Sequence, residues 1–503
     1  MHLYLLILLP FLGGIFSWFS EKINKKIPRV ISLFFIFLTF LLLLNIFFNN
    51  NFFLKNNNIN KLWNLEYNFP WIPKLGIGFH FAMDGISFLM VLLTIFLSFI
   101  SILLIWNYNF KNIGFFYFCI MFIISNIIGI FLSIDLFLFF IFWEIIIIPT
   151  YFLSIFYGKN LYNSSKQINS SNEYLVYSQI SGFILLFSIL GLVYNYYLQN
   201  NIFTFDFNLL KNLVLSEKTE FFLMFSFFIS FIIKFPLIPF HGWFPNFNKN
   251  THISGSYDLI GIIIKVSAYS LLRFNIFLFP KSSLHFSNFF CIFGLFCIFY
   301  SIFLAFSQKN IKKIISYTSI SHMGFILIAL YSSSFISYQG IIIQIISYSI
   351  STSALIILIR ILYKNFNTYN LKKMGGLWKI MDFVPGFFLF FIMASLGIPG
   401  TGNFIGEFLM LLGSFQYFPI IICISTLGLV FLSICLLQMF HIIFYGSCRI
   451  SCLKNQISKL EFFILLILSS ILIFIGIFPN IILKIINPSI LNISEKISPF
   501  LFN

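Results

Sequence analysis

The sequence predicts an all-α polytopic membrane protein of about 14 transmembrane helices. Three observations carry that expectation. The 503 residues are 60% hydrophobic and only 9% charged, with a mean hydropathy of +0.99, far from the roughly 25% charged of soluble domains. Apolar runs of about 20 residues, enough for a helix to cross the hydrocarbon core, recur along the whole chain. The runs are continuous rather than alternating, which argues against an outer-membrane barrel.

The expected spans, in order, are 3–18, 30–48, 80–106, 113–132, 135–157, 174–198, 219–246, 255–279, 286–306, 314–331, 335–362, 383–412, 417–446 and 460–483. The first run follows no basic segment and precedes no small-residue cleavage site, so it reads as a span and not a removable signal. The loops are short. The longest polar stretches, 49–79 and 199–218, leave no room for a soluble domain. The net charge of +16 reflects topology rather than nucleic-acid binding. Of the 30 Lys and Arg residues, eighteen fall in alternate loops starting with the first, eight in the other loops and the C-terminal tail, and four within spans. Cytoplasmic loops carry the Lys and Arg excess, which places both termini outside and fits an even number of spans. Of seven cysteines, five lie in apolar runs as structural thiols. Cys448 and Cys452 share a polar loop without further Cys or His ligands nearby, so no metal site is expected. No iron–sulfur ligand cluster, G-x-G-x-x-G or P-loop occurs, so no cofactor is expected on this chain and its redox or nucleotide chemistry would lie elsewhere.

Four ionisable side chains sit inside long apolar runs: Glu144, Lys234, Lys265 and Glu407. Each costs roughly 2.5–3.5 kcal/mol at mid-bilayer on insertion scales, so the set points to a path for protons or ions. Two of their spans are broken. Pro236 and Pro239 follow Lys234, and Gly397, Pro399, Gly400 and Gly402 precede Glu407. Breaks at membrane depth are tolerated where backbone lines a protein or water cavity. Lys234 then closes one half-helix, where the negative dipole end favours a cation; Glu407 enters another, where the positive end favours an anion. The broken spans are the seventh and twelfth. Two five-helix repeats in inverted topology, helices 4–8 and 9–13, would place them equivalently. The chain then divides into residues 1–112 (helices 1–3), 113–279, 284–446, and a final helix and tail at 447–503. His322 lies mid-span among Ser316, Tyr317, Thr318, Ser319 and Ser321, and is a relay candidate because its charge changes near neutral pH. His241, at the seventh-span break, is a weaker one. Asp84, Asp135 and Asp258 near span starts, and Arg273 and Arg360 near span ends, read as helix-terminus or interfacial residues.

With these residues in place, the chain resembles the M-type antiporter-like subunits of respiratory complex I, the NADH:quinone oxidoreductase, whose mitochondrial counterpart is chain 4. The resemblance runs through FHFAMDGISFLMVLLT from Phe79, DLFLFFIFWEIIIIPTYFL from Asp135, KFPLIPFHGWFP from Lys234, GSYDLIGIIIKVSAYSLLRF from Gly255, SYTSISHMGFILIA from Ser316 and PGTGNFIGEF from Pro399. The chain is more distantly similar to subunits of multisubunit sodium/proton antiporters. The resemblance implies a proton-translocating membrane-arm subunit with fourteen helices and two inverted repeats. It implies a path in which Glu144 and Lys234 form a switch pair, Lys265 is the central carrier, His322 a relay and Glu407 the terminus. It also implies the sister subunits L and N as partners in the bilayer, with NADH, FMN, iron–sulfur clusters and quinone on other subunits. The sisters usually carry lysine at the last position, so Glu407 favours M, as does a tail of about twenty residues where L extends into a lateral helix. Its implied setting is a bacterial inner membrane, with a mitochondrial inner membrane as the alternative. The chain departs from the family at Tyr348, where histidine is common, and at Asn246, Asn248 and His252 in HGWFPNFNKNTHI, which replace Asp, His and Pro. A cation/proton antiporter with no redox partner is the rival reading, since the same buried charges would serve it.

Overall fold

The computed structural model describes residues 2–49, 62–106, 110–158, 164–250, 262–447 and 457–500. Its elements in chain order are α1 (Leu3–Ser20), α2 (Ile27–Asn49), strands β1 (Leu65–Ile72) and β2 (Ile77–Met83), α3 (Gly85–Ile105), α4 (Ile113–Leu132), α5 (Leu136–Ile145), α6 (Ile147–Phe156), α7 (Ser164–Asn200), α8 (Phe207–Leu210), α9 (Glu217–Lys234), α10 (Trp243–Asn250) and α11 (Ile262–Ser270). There follow α12 (Pro280–His285), α13 (Ser287–Ser307), α14 (Ile311–Tyr331), α15 (Phe335–Phe366), α16 (Val384–Ser395), α17 (Gly402–Phe415), α18 (Pro419–Phe444), α19 (Lys459–Ile477) and α20 (Pro479–Ile497). Among the described residues, eleven helices are long and apolar enough to cross a bilayer, with α5 and α6 counted together as one span. The expected span 383–412 carries its expected break, which separates the two short apolar helices α16 and α17. The span 219–246 stops as a helix at Lys234, and 255–279 lies partly outside the described residues, as do Asp258, His252, Cys448 and Cys452.

The chain forms two compact units. The first holds Met1–Phe235, Ile262–Phe286 and Lys484–Asn503. The expected span 80–106 needs correction here, because its first residues are a strand. Ile77–Met83 pairs antiparallel with Leu65–Ile72, Tyr67 opposite Phe81 and Asn68 opposite His80. The turn between them passes through Gly76 at φ +68°, where a Cβ would overlap the Phe203 carbonyl. Asp84 then caps α3: its carboxylate accepts from Ser87 N while the Ser87 hydroxyl accepts from Asp84 N. Asp135 caps α5 more simply, its carboxylate accepting from the Phe137 and Leu138 amides. Arg273 is the second correction. It is buried, ion-paired with Asp84 and stacked 4.5 Å above the Trp63 ring, so it is no interfacial residue. It sits in a π-helical segment, Leu271–Ile276, that continues α11. Arg360, on α15 of the second unit, is likewise buried.

The second unit holds Pro236–Gly261 and Ser287–Leu483. Its core is α14 and α15, almost wholly buried, with α13 against α14 and α17 against α15. Close approach depends on small residues. Gly294 and Gly324 face each other's helices, and Gly402, Gly406 and Gly413 of α17 lie against Ser347, Gln344 and Ser337 of α15.

Candidate functional site

In the first unit, α5, α7 and α9 are joined around one lysine. Helix α9 ends at Lys234, with Phe235 as its cap, because the residue before Pro236 disfavours helical backbone. The ammonium at that end is buried. Its Nζ donates to the Trp143 carbonyl at 2.7 Å and sits 4.0 Å from the Trp143 ring centre. The Trp143 indole donates to Ser181 Oγ at 3.3 Å, and the Ser181 hydroxyl donates to the Ser230 carbonyl of α9 at 2.9 Å. Glu144, next to Trp143, stands one residue from the end of α5. The interruption between α5 and α6 is explained by Pro149, which cannot donate to the Ile145 carbonyl. Glu144 Oε1 is buried with no hydrogen-bond partner, and a Cβ on Gly182 would overlap it. Glu144 and Lys234 do not form a closed ion pair: the lysine is held by the neighbouring backbone and ring instead. Lys265 is buried in α11, which packs against α9 and α4, and lies ahead of the π-helical segment.

In the second unit, His322 and Glu407 come together. His322 Nδ1 lies 3.4 Å from Glu407 Oε1. Gln344 Nε2 donates to the same oxygen at 3.1 Å. The His322 and Tyr348 ring centres are 4.3 Å apart, and the Tyr348 hydroxyl donates to Ser319 Oγ at 3.0 Å. Beyond them, Asn403 Nδ2 donates to Ser351 Oγ at 3.1 Å. Glu407 lies in the second turn of α17, past the break, and its Oε2 points at Gly397, whose φ is +70°. Glu407 also lines a small cavity with Phe325, Ile328, Met410 and Ser414. His241 is elsewhere, its ring 6.0 Å from Tyr300 and 6.2 Å from Tyr317.

Sequence reasoning missed Trp143, Ser181 and Gln344 as parts of these clusters. Gln344 was legible in part: with Ser347, Tyr348 and Ser351 it falls at i, i+3, i+4 and i+7 on one face of its helix. Trp143 and Ser181 had no such signal, since their partners come from helices distant in sequence. Among the described residues, no group of three or more His, Cys, Asp or Glu is placed to hold a metal ion.

A family model described as NADH:quinone oxidoreductase/Mrp antiporter, TM, matches residues 133–433. NADH-quinone oxidoreductase subunit M of Buchnera aphidicola subsp. Schizaphis graminum is 46% identical over 505 residues, covering 100% of this chain and 99% of that one. The Escherichia coli K12 protein of the same name is 41% identical, covering 97% of each. A chain of respiratory complex I from Thermus thermophilus has the same fold, with a TM-score of 0.86 at 23% identity and coverage of 98% and 99%.

Proposed function

Because the chain belongs to the NADH-quinone oxidoreductase subunit M family, as a subunit of the proton-pumping membrane arm of complex I, we propose that the two buried clusters are its proton path. Electron transfer from NADH to quinone, with its FMN and iron–sulfur centres, takes place on other subunits, and this chain holds no cofactor of its own. Its partners are the other membrane-arm subunits, including L and N. Its setting is the bacterial inner membrane, with both termini on the outer side and two inverted five-helix repeats, 113–279 and 284–446.

The observation that carries the reading is the placement of Glu144, Lys234 and Glu407 beside helix interruptions. Lys234 is held by a carbonyl and a ring, neither of which is a counter-charge, while Glu144 keeps a buried oxygen unbonded. That is an open state of the switch. Closing the Glu144–Lys234 pair would stabilise both charges, and opening it would drive a proton from Lys234 towards Lys265. His322 and Glu407 then carry the proton onward, being already in contact. Lys234→Ala in the assembled complex tests the scheme. Proton yield per NADH, measured in sealed vesicles, is expected to fall severalfold while NADH oxidation with an artificial acceptor persists. An unchanged yield would refute the path.

A further inference from the structure

The two oxygens of Glu407 have different surroundings. Oε1 faces His322 Nδ1 at 3.4 Å and accepts from Gln344 Nε2 at 3.1 Å. Oε2 faces the break between α16 and α17, at the one place in that loop where a side chain would strike it: a Cβ on Gly397 would overlap Oε2. The next turn of the loop, Pro399 and Gly400, is exposed. An amide nitrogen can only donate, so Gln344 favours Oε1 as an anion or as the carbonyl of a neutral carboxyl. A protonated Glu407 therefore keeps its hydroxyl on Oε2, towards Gly397.

Resting on the proton path above, we propose that Glu407 receives a proton on its His322 side and releases it on its Gly397 side, with Gln344 selecting the releasing form and Gly397 keeping the outlet open. In the first step the Nδ1–H bond of an imidazolium breaks and an Oε1–H bond forms, leaving neutral imidazole and a carboxylic acid. Rotation about the Cγ–Cδ bond exchanges the oxygens, so that a carbonyl again accepts from Gln344 and the hydroxyl faces the break. In the last step that O–H bond breaks as a water molecule takes the proton, and the carboxylate is restored. Gln344 and Gly397 are positioning residues here, since neither carries the proton.

The loop supplies its own control. Gly397 and Gly400 both have positive φ, +70° and +93°, so alanine strains the backbone at either. Only at Gly397 would the new Cβ meet Glu407; at Gly400 it meets nothing within 4 Å. In the assembled complex in sealed vesicles, Gly397→Ala is expected to lower proton yield per NADH at least threefold relative to Gly400→Ala. Gln344→Leu removes the donor without closing the gap. It is expected to lower the yield and to move its pH profile in the alkaline direction, because an amide donor to the carboxylate favours the charged form. Equal yields in Gly397→Ala and Gly400→Ala overturn the outlet, and so does a wild-type yield and pH profile in Gln344→Leu should Gly397→Ala fail to assemble. Glu407→Ala separates this from the underlying reading. A wild-type yield there removes the path itself, whereas loss there with equal glycine variants removes only the two-sided carboxylate.

Discussion

At the scale of single residues, the first cluster depends on what holds a cation in the absence of a closed ion pair. Lys234 has one short hydrogen bond and one ring face, both from Trp143. A desolvated cation–π contact is worth about 2 kcal/mol, and the carbonyl bond survives any substitution that leaves the backbone in place. Trp143→Phe keeps a ring face but loses the donor to Ser181; Trp143→Leu loses both. The expected order of proton-pumping rate is wild type, then Phe, then Leu, with Leu slower by roughly tenfold, about the effect of 1–2 kcal/mol at the switch. Equal rates in the Phe and Leu variants would show that the ring does not position Lys234. Glu144 and Lys234 themselves were legible as charges in apolar runs. The tryptophan was not, because an aromatic beside a buried charge looks like any other in a chain with 76 phenylalanines. Its role comes from a contact between residues 91 positions apart.

At the scale of elements, helix interruptions were legible wherever proline and glycine marked them densely. The ends of α9 at Lys234 and of α16 before Gly397 follow from Pro236 and from the glycines around Pro399. A single proline in IIIIPT was a weaker mark, and the break between α5 and α6 went unread, as did the π-helical segment at Leu271–Ile276. The hairpin was unread for another reason. Its second strand runs directly into an apolar helix, so hydropathy merged the two, and only the Asp84 cap separates them. The hairpin is tied down by His80, whose Nδ1 lies 3.0 Å from Asp206 Oδ2. Burial, the largest influence, would lower the His80 pKa, but the hydrogen bond and charge of Asp206, together with the charges of Glu66 and Asp135, outweigh it and the net shift is upward. A raised folded pKa means that the stabilisation is fully present below the unfolded value, about 6.5, and is lost as pH rises through the folded value. Asp206→Asn is therefore expected to cost about 1–2 kcal/mol at pH 6 and progressively less at alkaline pH, read as thermal unfolding of the purified complex across that range. A cost independent of pH would assign the contact to an ordinary neutral hydrogen bond.

At the scale of the whole molecule, orientation decides which way the proposed path points, and charge bias is the guide to it. Eighteen Lys and Arg residues on one set of alternate loops against eight on the other is a strong asymmetry over short loops, the regime in which the positive-inside rule applies. In the proposed orientation, two exposed lysines sample the two sides. Lys25 lies in the short connection after α1, and Lys74 lies in the hairpin turn between β1 and β2. If the first connection is cytoplasmic, α2 carries the chain across and the hairpin stands on the outer face with its His80–Asp206 contact. In a background with the seven native cysteines replaced by serine, Lys25→Cys and Lys74→Cys each present one thiol to a reagent that cannot cross the membrane. Lys74→Cys is expected to be labelled in intact cells and Lys25→Cys only in inverted vesicles. Labelling of both from the same side would show that the chain does not cross the bilayer an odd number of times between them. The reverse pattern would place the hairpin in the cytoplasm and overturn the orientation proposed for the chain.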